Sequence, residues 1–151
     1  MIIRTPTFKD YDRIMELLIE LANANPLPEL QNPQYDDRYI RYILTEFVKK
    51  GVLYVAEQDN AIQGFIMGAV TPNIWLKDVL WMREVAFWVT PEYRYTPMGA
   101  KLLLQYENTC KQMMQQGVID NFVITSLDNL GKVDYESRGY HKIETNFVWS
   151  K

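Results

Sequence analysis

At 151 residues the chain is about one ordinary domain, long enough to bury most of its apolar surface around a single core. Its 48% hydrophobic and 23% charged residues suit a soluble globular protein, and no run approaches the roughly 18 apolar residues of a membrane span, so a membrane protein is excluded at this stage. A net charge of −3 gives no reason to expect a nucleic-acid partner, and one cysteine with one histidine excludes an internal disulfide or a structural zinc site.

The opening "MIIRTPTFKDYDR" has no basic region followed by an apolar core and cleavage site, which points to a cytosolic protein. "MIIRT" reads as a first strand. Thr7 and Asp10 have the spacing of a capping box ahead of Tyr11, Ile14, Leu17, Leu18 and Leu21, an apolar stripe of helical period. Pro26, Pro28 and Pro33 then enforce a loop, because proline lacks an N–H and disfavours helix before it. Asp36 or Asp37 can cap a second helix with Ile40, Ile43, Leu44 and Phe47 inward, and Gly51 is expected as a left-handed stop.

Beyond it the period becomes that of strands: "VLYVAEQ", a turn at Asp59 and Asn60, and "AIQGFIMGAV" form an antiparallel hairpin. "TPNIWLKD" connects to a fourth strand, "VLWMREVAFWV". Thr96 offers an N-cap and Pro97 a first helical position, followed by Leu103, Tyr106, Cys110 and Met114 on one face and Gly117 at the end. "NFVITSL" is a fifth strand, "DNLGKVDYESRGY" a short helix or turn ending at Gly139, and "KIETNFVWS" a last strand. With no repeat or linker, the chain reads as one α/β domain, residues 1–151, whose mixed, mainly antiparallel sheet is flanked by helices.

A helix N-terminus leaves N–H groups unpaired and carries partial positive charge, so the segment Tyr95 to Ala100, where strand hands over to helix, is a candidate phosphate site. Neither of the two common Gly-rich nucleotide fingerprints is present. The element order, the strand "EVAFWV", the turn "TPEYR", the opening "RYTPMGA" and the late "YESRGY" together resemble the GNAT superfamily of acetyl-CoA-dependent N-acetyltransferases. Its specific motifs fall on Glu84 to Leu104 and Asn129 to Tyr140.

The resemblance implies acetyl-CoA as co-substrate, an amine acceptor and no metal. In that family a [QR]-x-x-G-x-[GA] turn wraps the cofactor's pyrophosphate. The matching run here is Arg94, Tyr95, Thr96, Pro97, Met98 and Gly99, with Ala100 following. Pro97 replaces the first glycine and removes one amide donor, leaving the amides of Met98, Gly99 and Ala100 and the Thr96 hydroxyl. The resemblance also implies that the backbone of Phe87, Trp88 and Val89 pairs with the pantetheine, that Asn129 contacts it, and that Glu84 is a general base. Tyr135 would supply a proton or hydrogen bond to the departing thiolate.

A base is needed because an amine of pKa about 10.4 is almost wholly protonated at neutral pH. Strand alternation groups Glu84 with Met82, Ala86 and Trp88 unless a bulge intervenes. An apolar setting would raise its pKa; a solvated or lysine-paired carboxylate is the alternative. For Tyr135 the alternative is plain packing of a helix on the sheet.

His141 reads as a turn residue and Cys110 as a small core residue. The loop Asn25 to Asp37, with Glu29, Tyr35, Asp36 and Asp37, either holds an acceptor ammonium, as the resemblance implies, or simply caps a helix. Pro97 keeps open a non-catalytic module that binds acyl-CoA or a protein partner. "NFVWS" is a strand that could pair across a homodimer.

Overall fold

Alternating and helical periods in the sequence become strands and helices at nearly the same residues. The computed structural model describes residues 1–31, 34–126, 133–147 and 149. Strand β1 (Ile2–Arg4) leads through a 3-10 turn (Phe8–Asp10) into helix α1 (Tyr11–Ala24). The Asp10 carboxylate accepts from the Thr7 N–H at 2.6 Å and from its hydroxyl at 3.0 Å, so this pair does open the helix. Helix α2 (Asp37–Lys50) is capped by Asp36, whose Oδ1 accepts from the Tyr39 N–H at 3.1 Å. Strands β2 (Val52–Gln58), β3 (Ala61–Pro72) and β4 (Leu80–Val89) precede helix α3 (Met98–Gln115) and strand β5 (Asn121–Val123).

The sheet order is β1-β2-β3-β4-β5, antiparallel except for the parallel pair β4–β5. Asp59 (φ 55°) and Asn60 (φ 61°) both take left-handed backbone, as a two-residue primed hairpin turn requires. Helices α1 and α2 cover one face through Ile14, Leu17 and Leu44 against Leu53, Val55, Phe65 and Trp88. Helix α3 covers the other through Met98, Leu102, Tyr106 and Cys110 against Val52, Ile66, Met82 and Val89.

Three expectations need correcting. Gly51 does not stop α2 in left-handed backbone: its φ is −120°. A side chain there would run into the Gly68 carbonyl of β3, so close strand packing explains the glycine. On α3 it is Met113, not Met114, that packs against the core, while Met114 is exposed. The short helix or turn expected to end at Gly139 is indeed a 3-10 turn, Glu136–Arg138, closed by Gly139 at φ 94°. Finally, residues 142–147 and 149 of the last expected strand have no strand structure, and Ile143, Phe147 and Trp149 are exposed. Alternation marks two faces, but a strand also needs a ladder partner, and this segment has none among the described residues.

Candidate functional site

Strand β4 pairs with β3 as far as Val89 but with β5 only from Trp81 to Arg83. From Glu84 onward its β5-side edge has no strand partner among the described residues. The Thr90 N–H donates to the Gln63 carbonyl at 2.9 Å, which makes that pair, and by alternation Trp88–Phe65, hydrogen-bonded across β3–β4. The backbone groups of Phe87 and Val89 consequently face the open edge, whereas those of Trp88 face β3. At the far end the Arg94 Nε donates to the Val89 carbonyl at 3.1 Å. The Phe87 N–H and carbonyl and the Val89 N–H, which have no partner among the described residues, are the groups offered to a guest strand. Trp88 contributes its buried ring, which donates to Glu20 at 2.9 Å and lies 4.3 Å beneath the Arg94 guanidinium.

The register between β3 and β4 shifts between Met67 and Gly68, partnered by Ala86 and Glu84, so Val85 is an extra, unpaired residue and is 54% exposed. This bulge changes the grouping expected from simple alternation. Glu84 shares the α3 face with Met82 and, past the bulge, with Phe87 and Val89; Ala86 and Trp88 face α1 and α2. Glu84 is only 7% exposed, and its carboxylate reaches across the opening to accept from the Thr125 N–H at 3.0 Å. Burial pushes its pKa up to about 7, with the Thr125 amide opposing the shift.

Tyr135 packs half-buried on the same side, edge-on to Tyr140 with ring centroids 5.6 Å apart. Its hydroxyl has no hydrogen-bond partner among the described residues. Burial, and then the charge of Glu84, push its pKa up to about 12, so the two groups feel each other. The structure thus brings Glu84 and Tyr135 together. Asn129 lies outside the described residues.

Two contributors were not given a role in the site by the sequence. Glu107 on α3 is 4% exposed and accepts from Arg138 at 3.0 and 2.6 Å and from the Tyr140 hydroxyl at 3.0 Å, clamping the turn after Tyr135 to the helix. Its signal was an acid inside the stripe formed with Leu103 and Cys110. Arg138→Ala is expected to cost about 3 kcal/mol, the low end for stranding a buried carboxylate because Arg138 is itself partly exposed, as measured by chemical denaturation. The second is Tyr106, read in the sequence only as part of the apolar face of α3; its hydroxyl is buried against Gly68 without a hydrogen-bond partner among the described residues, and a Cβ on that glycine would lie 2.6 Å from it. Gly68, opposite Glu84, is what leaves room for that ring.

At the far end of the open edge α3 begins. The Met98 N–H donates to the Thr96 Oγ1 at 3.3 Å, and the Thr96 hydroxyl donates to the Tyr93 carbonyl at 2.6 Å, so Thr96 acts as the cap while the helix proper starts at Met98. Two of the four donors expected there are therefore engaged; the amides of Gly99 and Ala100 have no partner among the described residues. Gly99 sits over Phe87 and Val89, so these amides adjoin the open edge. Tyr95 is fully exposed beside them.

The loop before α2 is partly committed to that helix: Asp36 caps it, and Asp37 accepts from Arg41 at 2.9 Å. His141 is exposed; Cys110 is buried and its thiol is pushed up to about 12 by burial. Among the described residues no cluster of three His, Cys, Asp or Glu could hold a metal, and no helix is long and apolar enough to cross a membrane.

This architecture is shared with solved structures. An acetyltransferase from Trypanosoma brucei superposes with a TM-score of 0.70 at 18% identity over 99% of this chain and 98% of that one. Glucosamine-6-phosphate N-acetyltransferase from Arabidopsis thaliana gives 0.70 at 17%, covering 99% and 97%. A transcriptional regulator from Bacillus halodurans gives 0.71 at 15%, covering 99% and 98%. At such identities the likeness is one of fold. No curated protein sequence matches the chain. The family model described as "Acetyltransferase (GNAT) family" matches residues 13–140, and with that match over most of its length the chain belongs to the GNAT acetyltransferase family.

Proposed function

We propose that the protein transfers an acetyl group from acetyl-CoA to a primary amine by direct attack on the thioester, without a metal. The observation that carries this reading is the opening of the sheet beyond Arg83: an unpaired β4 edge with a buried carboxylate at its apex and unpaired helix amides at its end. Acetyl-CoA is extended, anionic at its pyrophosphate and electrophilic at its thioester. The Phe87 and Val89 backbone groups offer pairing for its arm, and the Gly99 and Ala100 amides offer donors to its phosphates.

Membership of the acetyltransferase family supports acetyl transfer as the general activity. The roles of individual residues rest on geometry and chemistry. Glu84, with a pKa of about 7, is both sufficiently ionised and sufficiently basic near neutrality to take the proton from the acceptor ammonium, directly or through water. Tyr135 lies close enough to feel that charge and has a hydroxyl free to donate to the leaving sulfur.

The rival reading is a non-catalytic module. It draws on Pro97, which has no amide hydrogen, and on the engagement of the Met98 amide by Thr96. Calorimetric titration with acetyl-CoA and thiol release over a panel of amines separate the two. Binding with amine-dependent release is expected; binding without release over a panel that includes protein lysines and N-termini would leave the module.

A further inference from the structure

A cavity of about 380 Å³ lies between the β3–β4 connection and the C-terminal segment, walled by Ile74, Trp75, Trp81 and Ile143 and bearing two opposite charges, Arg83 and Glu144. The geometry points to this cavity as the seat of the acceptor, and to the acceptor as a small primary amine that carries a carboxylate on an apolar framework, an amino acid or a compound of that build. The inference rests on the acetyl-transfer reading above and adds the substrate class.

Position comes first. Arg83 is the last β4 residue paired with β5; by alternation it faces the side of the sheet opposite Glu84 and Met82, so an amine seated in the cavity reaches Glu84 through the gap that opens between the two strands beyond it. Its volume sits at the small end of ligand sites, enough for an amino acid and too little for a large glycoside.

The chemistry of the walls then selects. The Arg83 guanidinium lies 4.9 Å from the Trp81 ring centroid, a stacking contact that orients its fork. Among the described residues its one ionic partner is Glu144, at 3.4 Å, near the outer limit of a hydrogen bond. Both side chains are about half exposed, at 41% and 51%, so their pairing contributes little. Glu144 stands in a segment without strand or helix structure, and its carboxylate occupies the place that a ligand carboxylate would take. Exchange of one carboxylate for the other leaves the charge on Arg83 balanced and allows a bidentate contact in place of a long single one. Trp81 also lines the cavity, and its indole N–H is buried with no hydrogen-bond partner among the described residues. The apolar wall of Ile74, Trp75 and Ile143 suits an aliphatic or aromatic body, whereas Arg83 repels an acceptor that carries only positive charges.

Phenylalanine and phenethylamine differ by the carboxylate alone and are the probes. Wild-type protein is expected to prefer phenylalanine in kcat/KM. Arg83→Gln should reduce that preference about tenfold or more, chiefly through the KM for phenylalanine, which is the scale of a charge-assisted hydrogen bond. Glu144→Gln should move it the opposite way, lowering the KM for phenylalanine, because the internal competitor has gone. A merely structural role for either residue would move both acceptors together, and that result overturns the proposal. So does wild-type preference for phenethylamine.

Tryptophan fluorescence, with Trp75 and Trp81 in the wall, reads binding without any transfer. Quenching by phenylalanine that weakens in Arg83→Gln is expected even in a protein that releases no thiol, which would sink the acetyl-transfer reading and leave the cavity assigned. Turnover of other amines with no quenching by phenylalanine sinks the cavity assignment and leaves acetyl transfer standing.

Discussion

Replacing Glu84 with glutamine is expected to lower kcat/KM for amine acetylation by roughly 10²- to 10⁴-fold, the usual worth of a general base, while acetyl-CoA still binds. The carboxamide keeps the shape and the acceptor oxygen that meets the Thr125 N–H, so the cleft stays open and only proton acceptance is lost. In the wild type the rate should climb with pH through about 7, where the buried carboxyl ionises, and level off above it. The variant should lack that limb. Activity that survives the substitution with its pH profile intact would remove Glu84 from the chemistry.

The same substitution should stabilise the fold at neutral and alkaline pH. The carboxyl titrates near 4.5 when unfolded and near 7 when folded, so between those values the folded state binds more protons. Its contribution to wild-type stability is full below about 4.5 and is lost as pH rises through about 7. Glutamine carries no such penalty. Above pH 7 the variant should gain about 3 kcal/mol relative to its difference from wild type at pH 4, which denaturant titrations at the two pH values measure. Loss of rate together with a gain in stability is what a site that strains its own catalytic group predicts, whereas a purely structural glutamate of the same burial would show the gain in stability without the loss of rate.

The sequence displayed the helices and the central hairpin because each has a local cause: the Thr7–Asp10 pair, the Asp36 cap, the Asp59–Asn60 turn and Gly117 at φ 71° act within a few residues. It displayed Glu84 and Tyr135 through the resemblance, and the structure brings them within electrostatic reach of each other. What escaped it depends on register. Simple alternation put Glu84 with Ala86 and Trp88, and only the Val85 bulge, set by the pairing with β3, turns it toward α3. Alternation likewise could not tell that Phe87 and Val89 point their backbone outward while Trp88 does not. The Glu107–Arg138–Tyr140 clamp joins residues 31 and 33 apart, too far for any periodic signal. "KIETNFVWS" shows the converse: a clear β pattern that lacks a neighbour to pair with among the described residues.

Tyr135→Phe is expected to reduce kcat by about 100-fold, the lower end of acid catalysis, with little change in the KM for acetyl-CoA. Phenylalanine fills the same half-buried space beside Tyr140 and removes only the hydroxyl, which has no other partner to lose among the described residues. A phenol held near 12 is a reluctant acid, and part of that reluctance comes from the negative charge on Glu84. Once Glu84 has taken the amine's proton it is neutral, that repulsion disappears, and Tyr135 becomes more acidic at the stage when the thiolate departs. The two residues are thereby ordered in time: the base must be filled before the acid is ready to give. A testable corollary is that the alkaline limb of the wild-type profile, where Tyr135 ionises, should move to lower pH in Glu84→Gln. A limb that stays in place would show that the two groups titrate independently, and a Tyr135→Phe variant of full activity would leave the departing sulfur to another donor.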